Sequence, residues 1–442
     1  MAKNTGNMNA GNDSPALARV DLREMLQDLG YEDTGDTSKT TTTGEASKIP
    51  IIDSEGVLQL QGLNVDGFIS SKSDNYAYGV RIDKTNQDSE LRVTYIGKAV
   101  GFDPIRGNDG TTDMGDWSGI LDEWGIAPCV LQNDGGGDAS VNYYLDPDNF
   151  ALKSDGVTAS TLDGTDGDVM IRIPLLYYKF TNEGDSFKVE VDSAPFAGAV
   201  RYAHDIEDGY NQVPMVSLVL LQAIMVILLK STNTQDALGL GLTDSASYAA
   251  TGGTNASGMF YGTDSIEQMK FLGIEDFWGN KSWWIDGCYY DNRNIYIGMG
   301  SFNDTGVGYS NEGQYADSDL DGYIRSVKGG NKTAFIPTIT DASSSTYFSD
   351  YGYVADGRLP DFGGNRAYTA FAGGFCLSSS TAASSTAAIG SRLCFRDEDA
   401  LYIGAYLGTT DSGNLRSISG TAEPTGSKTI GAFRTEAQAN NV

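Results

Sequence analysis

Hydrophobic and polar positions alternate along much of the chain after residue 76, and this two-residue period is typical of β-strands with one buried face. The clearest alternating runs are YAYGVRID, LRVTYIG, VMIRIPLLYYKFT and FKVEVD, and turns rich in Asp, Gly and Asn separate them. Shorter runs follow toward the C-terminus, among them CYYDNRNIYIGMG, SRLCFR and LYIGAYLG. The pattern predicts a β-containing, loop-rich domain, and the lack of a fixed-period repeat argues against a solenoid or a propeller.

One apolar run departs from this alternation. VPMVSLVLLQAIMVILL, residues 213–229, is 17 residues long, whereas a membrane-spanning helix needs about 20. Pro214 suits a first helical turn and Lys230 suits the last turn. The run therefore predicts a helix that is buried on all sides rather than a membrane span.

The first 66 residues have a different character. DLREMLQDLG predicts a short amphipathic helix that Asp21 caps and Gly30 ends, and DTGDTSKTTTTGEASK predicts a polar linker. IPIIDSEGVLQLQGLNV predicts two short strands around a Ser-Glu-Gly turn. A helix this short is not stable alone in water, so we expect residues 1–66 to dock on another chain.

The domain organisation follows from these patterns. We assign residues 1–66 to an extended N-terminal anchoring segment, 67–200 to the β-rich leading part of a large domain, and 201–442 to its core and C-terminal ligand-facing region. The N-terminus has no apolar stretch of the signal-peptide type, so we expect the protein to be made in the cytoplasm without a signal peptide.

Composition narrows the range of partners. Acidic residues outnumber basic ones 59 to 30, which gives a formal net charge of −29. A surface of this sign repels phosphate backbones and anionic lipid, so we expect neither nucleic acid binding nor membrane insertion. The four cysteines form no CxxC or zinc spacing and are predicted to be buried thiols, and the single histidine, His204, argues against His-based triads and zinc sites.

Three of the five tryptophans lie in one short segment, GIEDFWGNKSWWIDG, residues 273–287. Gly279 is predicted to supply a backbone conformation that other residues resist, and Asn280 to fix the turn by bonding to neighbouring backbone. The rings of Trp278, Trp283 and Trp284 then fill a core that is poor in regular secondary structure. In the alternative interpretation Trp283 or Trp284 is exposed as a stacking platform for a ligand.

This segment resembles the signature turn of the formylglycine-generating-enzyme-like branch of the C-type lectin fold. Other stretches, in the same order along the chain, are similar to tailed-phage virion proteins that carry this domain: DGTDGDVMIRIPLLYYKF, GYIRSVKGGNKTAFIP and PDFGGNRAYTAFAGGFCLSSSTAASSTAAIGSRLCFR. The resemblance covers roughly residues 75–400. It implies an α+β, C-type-lectin-like fold (formylglycine-generating-enzyme type) that is loop-rich, with Trp278, Gly279 and Asn280 as its structural signature.

The chain also departs from the enzymatic relatives. Its turn reads GNKSWW where those enzymes carry GNVWEW, so a neutral ring replaces a glutamate. The oxidase relatives use a reactive cysteine pair with bound copper, whereas Cys376 and Cys394 are 18 residues apart here. We expect no enzymatic activity and assign no catalytic residue.

An acidic stretch, DSDLDG at residues 317–322, has the opening spacing of a calcium loop. Asp317, Asp319 and Asp321 stand at the first, third and fifth positions, and a glycine follows at the sixth. Lys328 occupies the twelfth position, where such a loop needs a bidentate glutamate. Calcium is the one cofactor that the sequence suggests, and a plain turn is the alternative.

The region around residues 357–390 combines small polar residues with interleaved aromatic rings, a mixture that suits adaptable contact surfaces. In the phage relatives and their lectin cousins, ligand contact lies in this C-terminal area. The alternative is that the rings belong to the core and that the Ser/Ala run is a surface loop. The candidate ligand-binding residues are Trp283, Trp284, Asn365, Arg366, Tyr368 and Phe371.

The sequence thus predicts a phage virion structural protein, a fibre or adhesin component that binds a host-surface ligand, a glycan or a protein, without making bonds. We expect a homotrimer that attaches to other virion proteins through residues 1–66 and lies on the particle surface. The alternatives are a capsid decoration or head-fibre protein with an attachment role, and a catalytic relative that acts on cysteine or glycan.

Overall fold

A computed structural model describes most of the chain from residue 77 onward, and nearer the N-terminus it describes the backbone of four short strands. The fully described ranges are 77–202, 206–263, 266–420 and 422–442. The predicted helix at Asp21–Gly30 and His204 lie outside the described residues.

The chain forms two compact units, Met1–Tyr76 and Ala77–Val442. In the first unit two antiparallel strand pairs are described: β1 (Tyr31–Glu32) with β2 (Thr41–Thr42), and β3 (Pro50–Ile52) with β4 (Leu58–Leu60). The second pair flanks the Ser-Glu-Gly sequence, where the sequence predicts two strands.

The second unit begins with antiparallel strands that precede the long helix. They are β5 (Tyr78–Asp83), β6 (Val93–Gly97), β7 (Ala127–Gly135), β8 (Asp138–Tyr144), β9 (Asp168–Pro174), β10 (Tyr177–Glu183), β11 (Ser186–Asp192), β12 (Val200–Arg201) and β13 (Gly209–Gln212), with the short helix α1 (Ile120–Trp124) before β7. The four alternating runs coincide with β5, β6, β9 with β10, and β11, which confirms them as strands. The β7–β8 hairpin was not predicted.

The rest of the unit starts with two helices and continues through short strands. These elements are α2 (Met215–Leu229), α3 (Thr234–Leu238), β14 (Lys270–Phe271), β15 (Ile274–Glu275), β16 (Ser282–Trp284), β17 (Cys288–Asp291), β18 (Asn294–Ile297), β19 (Ser310–Gln314), β20 (Leu320–Tyr323), β21 (Ser326–Val327), β22 (Pro337–Ile339), β23 (Tyr351–Val354), β24 (Leu359–Phe362), β25 (Leu377–Ser380), β26 (Ile389–Gly390), β27 (Leu393–Arg396), β28 (Ala400–Gly404), β29 (Thr409–Asp411), β30 (Asn414–Arg416) and α4 (Ile430–Gln438). Helix α4 was not predicted from the sequence.

Three larger sheets organise these strands. One has the order β12-β10-β11-β5-β6, a second β13-β27-β28-β9-β7-β8, and a third β20-β23-β25-β24-β16-β26. The second sheet joins strands from before and after α2, because β28 pairs antiparallel with β9. A smaller, three-stranded sheet has the order β17-β18-β19, so its strands are neighbours both along the chain and in the sheet.

The sheets overturn the expected fold class. Among the described residues, strands account for 34% and helices for only 12%, and most strand pairs are antiparallel. The prediction of an α+β, C-type-lectin-like fold is therefore wrong, and the protein is β-rich. The physical reason is that closely spaced Gly/Asn/Asp turns favour antiparallel pairing of neighbouring segments, so more of the backbone forms strands than helices.

The buried helix is confirmed. All residues of α2 are buried, and it packs against β5 and β11. Pro214 precedes it in extended conformation, and Lys230 ends it in the left-handed region, where its N–H donates to the Val226 carbonyl at 3.0 Å. The polar Gln222 donates from Nε2 to the Gly374 carbonyl at 3.1 Å. In the described part of the chain, no helix has the length and apolarity needed to cross a bilayer.

Candidate functional site

The glycine–asparagine turn of the tryptophan segment forms as predicted. Gly279 has φ 80°, and a Cβ there would lie 2.8 Å from the Leu242 nitrogen, so only glycine fits without displacing backbone. Asn280 is also left-handed, and its Nδ2 donates to Asp276 Oδ2 at 2.7 Å while its Oδ1 accepts from the Ala249 N–H at 3.1 Å. The side chain thus holds the turn through the Asp276 carboxylate and the backbone of the remote residue Ala249, and not through neighbouring backbone as predicted.

The tryptophans lie in the core. Trp278, Trp283 and Trp284 are all fully buried, which confirms the core interpretation. The alternative of an exposed platform at Trp283 or Trp284 is wrong. The reason is that both faces of β16 are packed: Trp283 lies in one buried apolar cluster, and Trp284, which points to the opposite face, lies in another.

Trp283 contacts other rings and one cation. Its centroid lies 5.0 Å from that of Phe362 and 6.0 Å from that of Phe277, both edge-on, and the Arg392 guanidinium carbon lies 5.1 Å from the ring. Arg392 donates to the backbone carbonyls of Gly404 and Glu275, each at 2.8 Å. This buried arginine therefore binds main chain below the tryptophan, and its role is structural.

The acidic stretch at residues 317–322 does not form a calcium loop. Leu320–Tyr323 is strand β20, so the carboxylates do not curve around a common point. Asp319 forms an ion pair with Arg293, and Asp321 accepts a hydrogen bond from the Tyr351 hydroxyl. Within the described ranges, no group of three or more His, Cys, Asp and Glu side chains is placed to hold a metal ion. Asp317, the third predicted ligand, is exposed.

The cysteines are placed as the sequence predicts. All four thiols are free and buried. Burial raises the pKa of Cys376 and of Cys394 well above the ordinary thiol value, so neither forms a thiolate readily. A copper-dependent oxidation through these two residues is not supported by this environment.

Phe371, one of the candidate ligand residues, contacts two half-buried rings from elsewhere in the chain. Phe371, in a 3₁₀ turn at Thr369–Phe371, is 39% exposed. Its ring centroid lies 4.6 Å from that of Tyr351 and 5.4 Å from that of Tyr323. Tyr368 begins the same turn and is half-buried.

Strand pairing explains why these tyrosines meet. Strands β20 and β23 are antiparallel, with Tyr323 opposite Tyr351 and Asp321 opposite Tyr353. Residues that lie opposite each other, and residues two apart along a strand, share one face of a sheet. Because the alternate residues of β23, Gly352 and Val354, are buried, the tyrosines project outward. We call Tyr323, Tyr351, Tyr353 and Phe371 the aromatic face.

Hydrogen bonds fix the rings of this face. The hydrogen bond from the Tyr351 hydroxyl to Asp321, together with burial, raises the pKa of that tyrosine to about 12, so it stays a neutral donor at physiological pH. Tyr353 lies under Arg358, whose guanidinium carbon is 5.1 Å from the ring centroid. The Tyr368 side chain is hydrogen-bonded to Ser378, and burial raises its pKa. The Tyr351 and Tyr353 rings are therefore held in place by contacts within the chain.

The other two candidate residues are occupied by local contacts. Asn365 is 7% exposed, and its Oδ1 accepts from the Ala367 N–H at 3.0 Å. Arg366 donates from Nη1 to the Ser245 carbonyl at 2.5 Å, and its guanidinium lies 4.6 Å from the Tyr248 ring. The prediction that they contact a ligand directly has no support here, because both side chains stabilise the loop that precedes Tyr368.

Sequence analysis missed Tyr323, Tyr351 and Tyr353. A signal existed in the Tyr-Gly-Tyr alternation at residues 351–353, which places two rings on one face of a strand. The pairing of β23 with β20 and the position of Phe371 over both strands depend on tertiary contacts that no local pattern encodes.

No family model, curated protein or solved structure matches the chain.

Proposed function

We propose that this chain is a phage virion structural protein of the fibre or adhesin type, which binds a host-surface ligand through the aromatic face. The support for the virion assignment is the ordered resemblance along roughly residues 75–400. The observation that carries the binding role is the contact of exposed Phe371 with Tyr351 and Tyr323.

The chemistry of the aromatic face suits binding without bond-making. Aromatic side chains offer a large contact area for few rotatable bonds, so little conformational entropy is lost on binding. The hydroxyl groups of the half-buried Tyr323 and Tyr353 add hydrogen-bonding groups. The ligand is a glycan or a protein of the host surface, and it stacks on these rings.

The first unit takes the anchoring role in this proposal. Residues 1–66 attach the protein to other virion proteins, and the second unit is directed outward. A homotrimer is the proposed assembly, since fibre proteins commonly trimerise and a short apolar helix gains stability from partner chains. The excess of acidic residues keeps such a protein soluble and repels nucleic acid.

Competition with infection tests the proposal. The purified full-length chain should bind cells that the parent phage infects and should reduce infection by intact particles. Replacing Phe371→Ser together with Tyr323→Ser should weaken cell binding by about tenfold or more, because truncating central aromatic contacts removes a large part of the binding energy. The matched control is Tyr296→Ser in β18, a half-exposed tyrosine on another sheet.

Two outcomes would contradict the adhesin role. Cell binding that survives the double substitution would remove the aromatic face as the site. A full-length chain that binds empty particles but no host cell would instead indicate the capsid decoration role.

A further inference from the structure

We propose that the second unit has a separate binding site for a neutral saccharide, in a cleft that shares no residue with the aromatic face. The cleft has a volume of about 710 Å³ and is open to solvent on one side. Three stretches of chain form it, at residues 110–128, 144–154 and 256–261. Its volume lies within the range of about 300–1,000 Å³ that small-molecule sites occupy.

The walls of the cleft leave room for a ligand. A Cβ at Gly119 or at Gly258 would meet no atom within 4 Å, so both glycines border open space. Ser118 is exposed and Ser257 half-exposed at the same border. Small side chains on opposite walls therefore keep the cleft wide and line it with hydroxyl groups.

Tyr144 supplies an aromatic surface at the cleft. It ends strand β8 and is 41% exposed, although tyrosines more often bury most of their ring. Within the described residues its hydroxyl has no hydrogen-bond partner, so both the ring and the hydroxyl are available. A flat amphipathic ring of this kind packs against the apolar face of a pyranose while its hydroxyl bonds to the polar rim.

The charges that line the cleft are all negative. Among the described residues that line the cleft, Asp122 and Asp148 are the only charged ones, and none is Lys, Arg or His. Both aspartates are exposed, and within the described residues neither carboxylate takes part in a hydrogen bond or an ion pair. Ionised carboxylates only accept hydrogen bonds, and each can accept several, so they suit adjacent sugar hydroxyls.

The same charges exclude other ligand classes. An anionic ligand such as a phosphate or a sialylated sugar would meet two carboxylates with no compensating cation. A metal ion is not indicated, because the cleft contributes only two carboxylates and the described residues form no cluster suited to a metal. Buried Met259 and Phe260 form an apolar part of the lining, and free carboxylates, hydroxyls and an exposed ring complete it. This combination favours an uncharged polyol ring.

Saturation-transfer NMR on the full-length chain tests the site directly. The probes are neutral trisaccharides of glucose, mannose, galactose and N-acetylglucosamine, with sialyllactose and tetralysine as the charged comparisons. We expect at least one neutral trisaccharide to bind and both charged probes to bind about tenfold or more weakly. The experiment needs no host cell, so its failure is distinguishable from failure of the proposed adhesin function.

Substitutions then locate the binding. Ser118→Trp, which fills the cleft from an exposed position, and Tyr144→Ala should each reduce the affinity for the trisaccharide by about tenfold or more. Asp122→Asn with Asp148→Asn should reduce it while leaving the melting temperature unchanged. Tyr296→Ala is the control for loss of an exposed ring elsewhere, and Phe371→Ser is the control for the aromatic face.

Three results would overturn the inference. The first is that no neutral trisaccharide binds. The second is binding that persists in both Ser118→Trp and Tyr144→Ala. The third is preferential binding of tetralysine or sialyllactose that Ser118→Trp abolishes, which would assign the cleft to a charged ligand; tetralysine binding that Ser118→Trp leaves unchanged reflects the acidic surface elsewhere.

Discussion

Arg434 in helix α4 holds Asp286, at the end of the tryptophan segment, through two parallel hydrogen bonds. Nε donates to Oδ2 at 2.7 Å and Nη2 donates to Oδ1 at 2.9 Å. Asp286 is fully buried, and Arg434 also donates from Nη1 to Asp304 at 2.6 Å. The last helix is therefore tied to the core by a charge pair rather than by apolar contacts alone.

Removing this arginine should destabilise the second unit strongly. Arg434→Leu leaves the buried Asp286 carboxylate without its bidentate partner, and breaking a buried pair in this way costs about 3–5 kcal/mol. The free energy of unfolding, measured by urea denaturation at pH 7, checks this value. Burial already raises the pKa of Asp286 in the intact pair, and loss of the Arg434 cation should raise it further.

An exposed ion pair provides the control. Arg325 and Asp341 are paired at the surface, so Arg325→Leu should change the free energy of unfolding by less than about 1 kcal/mol. Equal losses in the two variants would show that the Arg434–Asp286 pair is not buried in solution.

Gly279→Ala should destabilise the protein for two reasons. The left-handed backbone at φ 80° costs an L-residue about 1–2 kcal/mol, and the added Cβ would press on the Leu242 backbone at 2.8 Å, which costs about 1–3 kcal/mol more. Thermal and urea unfolding give the change in stability. Gly413→Ala is the matched control, since Gly413 has φ 89° with no atom within 4 Å of the added Cβ. A loss no larger than that of the control would mean that the close approach to Leu242 is absent.

The native protein should fluoresce as a set of buried indoles. All five tryptophans are at most 1% exposed, so their emission should be blue-shifted and resistant to quenching by acrylamide until the chain is unfolded. Trp283→Ala should cost about 3–5 kcal/mol of stability through the cavity it leaves. A quenchable fraction in the native state, or a near-neutral Trp283→Ala variant, would restore the exposed-platform interpretation.

Asp361 predicts a specific pH dependence. Burial raises its pKa from 3.8 to about 6, although the Ser380 hydroxyl donates to Oδ2 at 3.0 Å. A carboxyl whose folded pKa is raised contributes stability that is fully present below pH 3.8 and is lost as the pH rises through 6. The non-titrating variant Asp361→Asn should therefore gain stability relative to wild type between pH 4 and pH 7, by on the order of 3 kcal/mol.

Urea denaturation of both proteins at several pH values measures this difference in the free energy of unfolding. The contributions of all other titrating groups are the same in the two proteins, so they cancel in the difference. A difference that stays constant from pH 4 to pH 7, or one that falls, would show that Asp361 is ionised and well solvated in the folded state.

Local sequence signals predicted the elements whose conformation is set by neighbouring residues. The apolar run at 213–229 predicted α2, and the four alternating runs predicted strands. Both predictions rest on the spacing of apolar residues, which indicates whether one face or every face of an element is buried. Gly279 and Asn280 predicted their turn, because left-handed backbone selects these residue types. Helix α4 was missed because its apolar positions are few and its anchor, Arg434, is charged.

The candidate site was predictable only in part. Composition and resemblance predicted Tyr368 and Phe371 as ligand contacts, and that role stays a prediction, because the exposure of a ring depends on what covers it. An aromatic ring is buried at Trp283, in the core, and partly exposed at Phe371, over strands β20 and β23. The suggested calcium loop is not formed, for a related reason. Asp319 forms an ion pair with Arg293, and Asp321 accepts a hydrogen bond from Tyr351. Both partners are distant in sequence.

The sequence by itself determined a β-containing chain with one buried helix, a glycine–asparagine turn rich in tryptophan and a strongly acidic surface. Each of these follows from residue type and short spacing. Only the tertiary structure decided that the tryptophans are covered, that β20 and β23 bring Tyr323 and Tyr351 beneath Phe371, and that three distant stretches enclose a cleft with free carboxylates. Those outcomes depend on strand pairing between remote segments. The free energy of that packing is shared among many residues, so no local sequence pattern indicates which segments will pair.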